Sequence, residues 1–278
     1  MKLALILAPY DSGHYHAGFG QGPDAIITGG LVDELALHGH EAEVIEIDRI
    51  EDEDLREITA GFAVCDAVSR AIGIARAEGR FPIVLAGNCL TAAGAIAGEG
   101  SDSIVWFDQH GDINTPETSS TGFLDGMALA TVLGLCWRTI ANAIPGFSAI
   151  DPWRCMLVGA RDLDATEKKL LEDLPVIRAS CADLPEKAER LKAAGAERTH
   201  LHIDLDVHNS DTLQANRYAA PGGPSPQDVR QAVSALARAV PVTGVTITAY
   251  DPAFDAKGEV PPVVGRLLVD FLAAMERI

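Results

Sequence analysis

Two short acidic segments contain residues whose types and spacing suit metal chemistry. The first is WFDQHGD, in which Asp108, His110 and Asp112 occupy alternate positions directly after an apolar run. The second is HLHIDLD, in which Asp204 and Asp206 follow another apolar run. Carboxylate and imidazole groups together suit Mn²⁺ or another first-row divalent cation. Two such cations about 3.5–4 Å apart can share a hydroxide that attacks at neutral pH. The two segments therefore predict a binuclear metal hydrolase.

The spacing also predicts how these side chains converge. In an extended chain, residues i, i+2 and i+4 point to one side. We therefore expect Asp108, His110 and Asp112 to face one point, and Asp204 to bridge two ions together with Asp108. A polar turn with a helix cap would explain DxHxD alone, but it does not explain the second acidic pair.

Apolar runs that alternate with segments of helical period must position these residues. Strands are predicted at residues 3–8, 42–47, 81–86, 104–107, 155–158, 175–178, 201–205 and 242–249. Helices are predicted at residues 24–38, 54–78, 91–98, 126–135, 165–172, 185–194, 226–239 and 262–277. This alternation indicates an α/β fold with parallel strands and helices on both faces of the sheet. Both acidic segments fall at the carboxyl ends of strands, where ligands bind in such folds. We expect one domain over residues 1–278, because the sequence contains no flexible linker.

Composition restricts the classes of binding partner and the cellular compartment that we expect for this chain. A net charge of −18, from 40 acidic and 22 basic residues, argues against nucleic acid and anionic membranes, since both bind cationic surfaces. No apolar stretch approaches the length of about 20 residues that a membrane span needs, and the N-terminus lacks a signal-peptide pattern. The five cysteines form no CxxC pair, which favours reduced thiols in a cytoplasmic protein.

The chain resembles the ureohydrolase family, which includes arginase, agmatinase and formiminoglutamase. The resemblance rests on Gly20, Gly22, Pro23, Gly29 and Gly30, and on the segments WFDQHGDINTPETSSTGFLDGMALA, VGARDLD and LHIDLDVH. It implies a three-layer α/β/α fold with a parallel sheet of about eight strands. It also implies a pair of Mn²⁺ ions, hydrolysis of a linear carbon–nitrogen bond in a small-molecule substrate, and a homo-oligomer, either a trimer or a hexamer.

The resemblance further implies two sets of metal ligands. The first metal would be held by Cys89, Asp108, Asp112 and Asp204, and the second by Asp108, His110, Asp204 and Asp206. Cys89 stands where the family has a histidine ligand. A nearby cation keeps a thiol deprotonated, and a thiolate shifts the preference towards Zn²⁺. The alternative is that Cys89 is only a small buried residue and that the first metal is weak or absent.

Two departures from the family pattern concern catalysis. Asp125 stands where arginase-like members have a histidine that moves protons, and Ala249 stands where the family has the glutamate that pairs with a guanidinium group. Asp251 or Asp255 would be a substitute for that glutamate. The alternative interpretation is that Asp251 caps a turn that begins at Pro252.

The predicted substrate site keeps part of an amino-acid clamp. Asn114, Thr121 and Phe123 occupy the positions that bind the amino-acid end in arginase-like members, and Asp164 matches the residue that receives an α-ammonium group. Asp164 is equally suited to cap the helix that follows it. The sequence predicts a guanidino, hydroxyguanidino or formimino substrate rather than ordinary arginine. A family member that has lost catalysis and serves as a binding or regulatory subunit is the alternative.

Overall fold

A computed structural model describes residues 1–50 and 56–276. The strands are β1 (Lys2–Ala8), β2 (Tyr10–Asp11), β3 (His14–Tyr15), β4 (Glu41–Glu46), β5 (Phe81–Ala86), β6 (Ser103–Phe107), β7 (Cys155–Val158), β8 (Ile177–Ala179), β9 (Thr199–Asp204) and β10 (Val242–Thr248). Eight of them form a central parallel sheet in the order β4-β1-β5-β10-β9-β6-β7-β8, and β2 and β3 form a separate two-stranded hairpin. All eight predicted sheet strands are confirmed.

Helices cover both faces of this sheet and complete a three-layer α/β fold. They are α1 (Gly22–Thr28), α2 (Leu31–Leu37), α3 (Glu57–Ala77), α4 (Thr91–Glu99), α5 (Ala128–Val132), α6 (Arg138–Ala141), α7 (Ala165–Asp173), α8 (Leu184–Ala193), α9 (Pro226–Ala239) and α10 (Val260–Met275). Side chains alternate along β1, so that Leu3 and Leu5 join the core under α2 and α10 while Ala4 and Ile6 join the core under α3. The predicted fold class is confirmed.

Several predicted boundaries differ from the structure for local reasons. The single helix predicted at residues 24–38 is wrong, because the chain breaks into α1 and α2 at Gly29 and Gly30, and Gly30 adopts φ 96°. The helix predicted at residues 126–135 shortens to α5. β9 ends at Asp204 rather than at residue 205, because the Asp204 carboxylate accepts the N–H of Asp206 at 2.8 Å and starts a short 3₁₀ turn. The predicted positions 54–55 and 277 lie outside the described residues.

The expectation that no stretch has the length and apolar composition of a membrane span is wrong for helix α3, and 44% of the most apolar part of this helix is buried within the fold. It packs against α4 and against strands β1 and β5. Its buried residues Val68 and Ile72 belong to one hydrophobic cluster with Ala4 and Ile6 of β1. The helix is thus one of the layers that cover the sheet.

The strand order determines where the chemistry can lie. β5, β10, β9 and β6 are consecutive neighbours in the sheet. Their carboxyl ends therefore carry Cys89, Thr248, Asp204 and Asp108 to one edge, although these residues are up to 159 positions apart in sequence.

Candidate metal centre

Two groups of possible metal donors lie at the carboxyl edge of the sheet. Cys89, Asp108 and Asp204 form one group, and Asp108, His110 and Asp206 form the other. Within each group the donor atoms lie within 4.8 Å of one another. Asp108 belongs to both groups, as expected of a bridging carboxylate, whereas Asp204 belongs only to the first.

Asp108 is fully buried and is fixed by two donors. Its Oδ1 accepts the backbone N–H of His110 at 2.7 Å, and its Oδ2 accepts the indole N–H of Trp106 at 2.9 Å. The imidazole Nδ1 of His110 lies 3.3 Å from Asp108 Oδ1 and 3.5 Å from Asp206 Oδ2. The carboxylate is thereby oriented before any ligand arrives.

Cys89 follows β5 at the turn Gly87–Asn88 and is buried. Its thiol donates to Asp204 Oδ2 at 3.1 Å, and its sulfur lies 3.1 Å from the hydroxyl of Thr248. A side chain at Gly87 would lie 2.1 Å from the carbonyl oxygen of Tyr10, so only glycine lets β5 turn tightly enough to present Cys89 here.

Asp112 does not follow the predicted alternation. β6 ends at Phe107, the chain from Asp108 onward is not extended, and Asp112 adopts φ 49° in the left-handed region. The alternation argument is therefore wrong for this segment. Among the described residues Asp112 belongs to neither donor group, although its carboxylate lines the same cavity and is buried.

Burial has the largest effect on the ionisation of the acids at this edge, and repulsion between neighbouring carboxylates adds to it. Burial, reinforced by neighbouring carboxylates, raises the pKa values of Asp112 and Asp204 well above the usual value and that of Asp206 to about 7. Burial likewise raises the pKa of the Cys89 thiol. Burial opposes the charge on His110, but Asp108 and Asp206 overcome this effect and raise its pKa to about 9.

A cavity of about 640 Å³ opens over these donors. This volume is typical of sites for small molecules. Of the two donor groups, Cys89, His110, Asp204 and Asp206 line it, and its far side carries the predicted substrate residues Asn114, Thr121, Phe123 and Asp164. The structure thus brings the predicted clamp to the predicted metal donors.

The clamp residues are held by one another. Asn114 Nδ2 donates to Asp164 Oδ2 at 3.0 Å, and the phenyl ring of Phe123 lies 6.2 Å from the ring of Tyr218. Asp164 also caps α7, where it accepts the N–H groups of Thr166 and Glu167. Burial opposes its ionisation, but hydrogen bonds from Thr166, Glu167 and Asn114 lower its pKa. Asp164 therefore caps α7 and lines the cavity at the same time.

Asp125 and Asp251, which were predicted to replace catalytic side chains of the family, have different positions. Asp125 lines the cavity, accepts Leu90 N–H at 3.0 Å and the Asn88 amide at 2.8 Å, and has a pKa that burial raises to about 6. Asp251 is not among the described residues that line the cavity. Its carboxylate instead caps a 3₁₀ turn by accepting Ala253 N–H at 3.0 Å. The structure therefore does not place Asp251 where the missing glutamate would act, and the methyl of Ala249 lines the cavity instead.

The sequence did not point to two residues that line the site, Asn216 and Glu167. Asn216 is fully buried, donates to the Ala249 carbonyl at 2.8 Å and lies 3.5 Å from Asp206 Oδ2. Glu167 lines the cavity, and Gly111 has no side chain because a Cβ there would lie 2.8 Å from Glu167 Oε1. Arg161 donates to the carbonyls of Asp206, Val207 and His208. The sequence signal for Glu167 was its position three residues after Asp164, which is the spacing of a capping box.

Comparison with known proteins agrees with this geometry. The arginase family model matches residues 1–273. The chain is 28% identical to the arginase of Bacillus caldovelox, over 96% of each protein. It is also 28% identical to the arginase of Bacillus subtilis strain 168, over 92% of this chain and 93% of that protein. Its fold matches the crystal structure of arginase from Bacillus cereus with a TM-score of 0.86 and 25% identity, over 98% of each chain.

Proposed function

This chain belongs to the arginase family and is a hydrolase that acts on carbon–nitrogen bonds other than peptide bonds, and we propose that it does so with two divalent cations. The proposal rests on the two donor groups that share Asp108 and whose other members line one cavity. The resemblance identified in the sequence is confirmed by the family match. The substrate, the metals and the roles of individual residues form the proposal.

The residues present fit a pair of cations. Asp206 Oδ1 is buried and lacks a hydrogen-bond partner among the described residues. An unpaired buried carboxylate oxygen is costly unless a cation or donor satisfies it. Oxygen and imidazole donors suit Mn²⁺, and the Cys89 sulfur makes Zn²⁺ an alternative. We propose Cys89, Asp108, Asp112 and Asp204 for one ion and Asp108, His110, Asp204 and Asp206 for the other. When bound, such cations lower the pKa of water and polarise the bond that it attacks.

Protein groups have separate tasks in this proposal. Asn114, Thr121 and Asp164 bind the polar end of the substrate, and Phe123 gives that end an apolar wall. Asp125 holds and transfers a proton on the reacting side, since a pKa of about 6 lets a carboxyl bind a proton near neutral pH. Asn88 and Leu90 keep the Asp125 carboxylate in place at the cavity wall.

The substrate is a guanidino, hydroxyguanidino or formimino compound other than ordinary arginine. A guanidinium group needs a planar acceptor for two-point binding, and Ala249 offers only a methyl group to the cavity. Asp255 is occupied elsewhere, since it accepts the hydroxyl of Tyr250 and the N–H groups of Glu259 and Val260.

We further propose that residues 1–278 form one catalytic domain that works in the cytoplasm as a homo-oligomer, a trimer or a hexamer. One sheet connects strands from both ends of the chain, which supports a single domain. All five cysteines are free, which supports a reducing compartment. The net charge of −18 argues against nucleic-acid and anionic-membrane partners, which bind cationic surfaces. We therefore propose a small-molecule substrate.

Metal analysis of the purified protein, combined with a substrate screen, tests this function. We expect two ions per chain after loading with Mn²⁺ or Zn²⁺. We also expect release of urea, hydroxyurea or formamide from guanidino, hydroxyguanidino or formimino compounds respectively. A chain that binds no ion and releases none of these products would instead be a binding or regulatory subunit. The departures from the family pattern at Cys89, Asp125 and Ala249 would then be losses of catalytic function.

A further inference from the structure

The hydroxyl of Thr248 joins the sulfur of Cys89 to a buried imidazole beneath the proposed metal centre. Thr248 Oγ1 lies 3.1 Å from Cys89 Sγ and 3.4 Å from Nε2 of His202. Thr248 is the last residue of β10 and pairs with Asp204 at the end of the neighbouring strand β9. All of these side chains are buried, so that water does not compete for the contacts.

The imidazole of His202 is held in one plane. It stacks on the indole of Trp106, with ring centroids 3.6 Å apart and an angle of 21° between the planes. The same indole donates its N–H to Asp108 Oδ2 at 2.9 Å. Trp106 therefore contacts Asp108, and His202 is linked to Cys89 through the Thr248 hydroxyl. Both pairs support members of the first donor group from the core side of the sheet.

The hydrogen bonds of His202 indicate which way the Thr248 hydroxyl points. His202 Nδ1 is buried and has no hydrogen-bond partner among the residues that the structure describes. A buried N–H without a partner is rarer than an acceptor without one. The proton therefore belongs on Nε2, from which it is donated to Thr248 Oγ1. The hydroxyl proton of Thr248 is then free to point at the Cys89 sulfur.

A donor aimed at this sulfur matters when the sulfur is charged. The Cys89 thiol donates a hydrogen bond to Asp204 Oδ2 at 3.1 Å. Only the thiolate binds metal, and once the proton is lost the Thr248 hydroxyl is a donor within reach of the sulfur. We infer that Thr248, supported by His202, is a positioning residue that orients and stabilises the Cys89 thiolate as a ligand. This inference rests on the proposed metal centre.

The test compares two substitutions of similar size in Co²⁺-loaded protein. Thr248→Val removes the hydroxyl, and Thr248→Ser keeps it. We expect a sulfur-to-cobalt charge-transfer band in the wild type and in Thr248→Ser, and a shifted, weaker band in Thr248→Val. Groups that support metal ligands typically change metal affinity by about 10–100-fold, so the Co²⁺ dissociation constant should rise about tenfold or more in Thr248→Val only.

A double-mutant cycle shows whether the effect acts through the sulfur. In a Cys89→Ser background, Thr248→Val should leave the Co²⁺ affinity unchanged. An equal loss of affinity in both backgrounds, or a Thr248→Val band identical to that of the wild type, would overturn the inference. Wild-type protein that binds two Co²⁺ without a sulfur band would overturn it and leave the proposed function standing. Wild-type protein that binds no Co²⁺ would overturn both.

Discussion

At the scale of single residues, Asp108 has more consequences than any other side chain described above. It belongs to both donor groups, and its two oxygens are fixed by donors from His110 and Trp106. The histidine backbone and the indole orient the carboxylate, while its charge remains available to cations. Loss of this group should therefore affect both ions together.

We expect Asp108→Ala to abolish metal binding and hydrolysis in the same protein, because each donor group loses its shared member. Metal content per chain by mass spectrometry and product release measure the two effects. Asp33→Ala, an exposed acid on α2, is the control and should keep two ions and full activity. An Asp108→Ala variant that retains two ions would show that the centre lies elsewhere.

Cys89→His should raise the affinity for Mn²⁺, because imidazole is a harder ligand than thiolate and suits this ion better. Isothermal titration with Mn²⁺ measures the change in affinity. Changes in groups that only support a ligand alter metal affinity by about 10–100-fold, so we expect a change of the ligand itself to raise the affinity at least about tenfold. Cys181→His, at a half-buried cysteine next to α8, is the control and should not alter the affinity. Unchanged Mn²⁺ affinity in Cys89→His would mean that residue 89 does not bind the ion.

At the scale of elements, the N-terminus of α7 connects stability with substrate binding. Asp164 closes a capping box with Glu167 and also accepts the amide of Asn114 at the cavity. A helix start is a rigid support, because its N–H groups hold the carboxylate in one orientation. The clamp is therefore attached to the α-layer and not only to the loop that follows β6.

Asp164→Ala should lower the free energy of unfolding by about 1 kcal/mol, as expected for the loss of a helix cap. Burial opposes the ionisation of Asp164, but hydrogen bonds from Thr166, Glu167 and Asn114 outweigh it and lower the folded-state pKa. The contribution of Asp164 to the stability of the fold is therefore complete above the unfolded pKa of about 3.9 and is lost as the pH falls through the folded-state pKa. Urea denaturation at pH 7 and at pH 3 measures both effects.

Asp173→Ala is the matched control for this prediction. Asp173 is the last residue of the same helix and forms an exposed ion pair with Lys169, which contributes little stability. Equal effects of the two substitutions at pH 7 would contradict the capping role of Asp164.

At the scale of the whole molecule, the fold concentrates buried acids at one edge of the sheet in a chain that already has a net charge of −18. Metal-free protein must keep these acids protonated or accept their repulsion. Cations would relieve the repulsion and bind the folded chain only, which stabilises it by mass action. Metal loading should therefore be visible in global stability as well as in catalysis.

Metal-free protein should become less stable as the pH rises from about 4 to 7. Burial raises the folded-state pKa of Asp206 to about 7 and those of Asp112 and Asp204 well above the ordinary value, so these carboxyls bind more protons in the folded chain than in the unfolded chain in this window. They outnumber His202 and His208, whose pKa values are lowered by burial and act in the opposite direction. Thermal unfolding in a chelator at pH 5 and pH 7 should show the higher midpoint at pH 5. Mn²⁺ at saturating concentration should raise the midpoint at pH 7 more than at pH 5. A midpoint in chelator that is higher at pH 7 would contradict this electrostatic description.

The eight strands, the three-layer fold class and the family could all be predicted from the sequence. Alternation of apolar runs with helical periods is a local signal, and a motif such as LHIDLDVH keeps its residue types whatever surrounds it. Local chemistry also explains the errors. The glycine pair at 29 and 30 broke a predicted helix, and the left-handed backbone at Asp112 broke a predicted alternation.

Tertiary structure alone decided which groups meet. Strand order brings β5, β10, β9 and β6 side by side, and no local pattern states that order. It therefore places Thr248 against Cys89, puts the Asn216 amide on the Ala249 carbonyl, and leaves Asp251 in a turn away from the cavity. Contacts between residues that are distant in sequence follow from the order of the strands, which depends on the whole chain and not on any short segment.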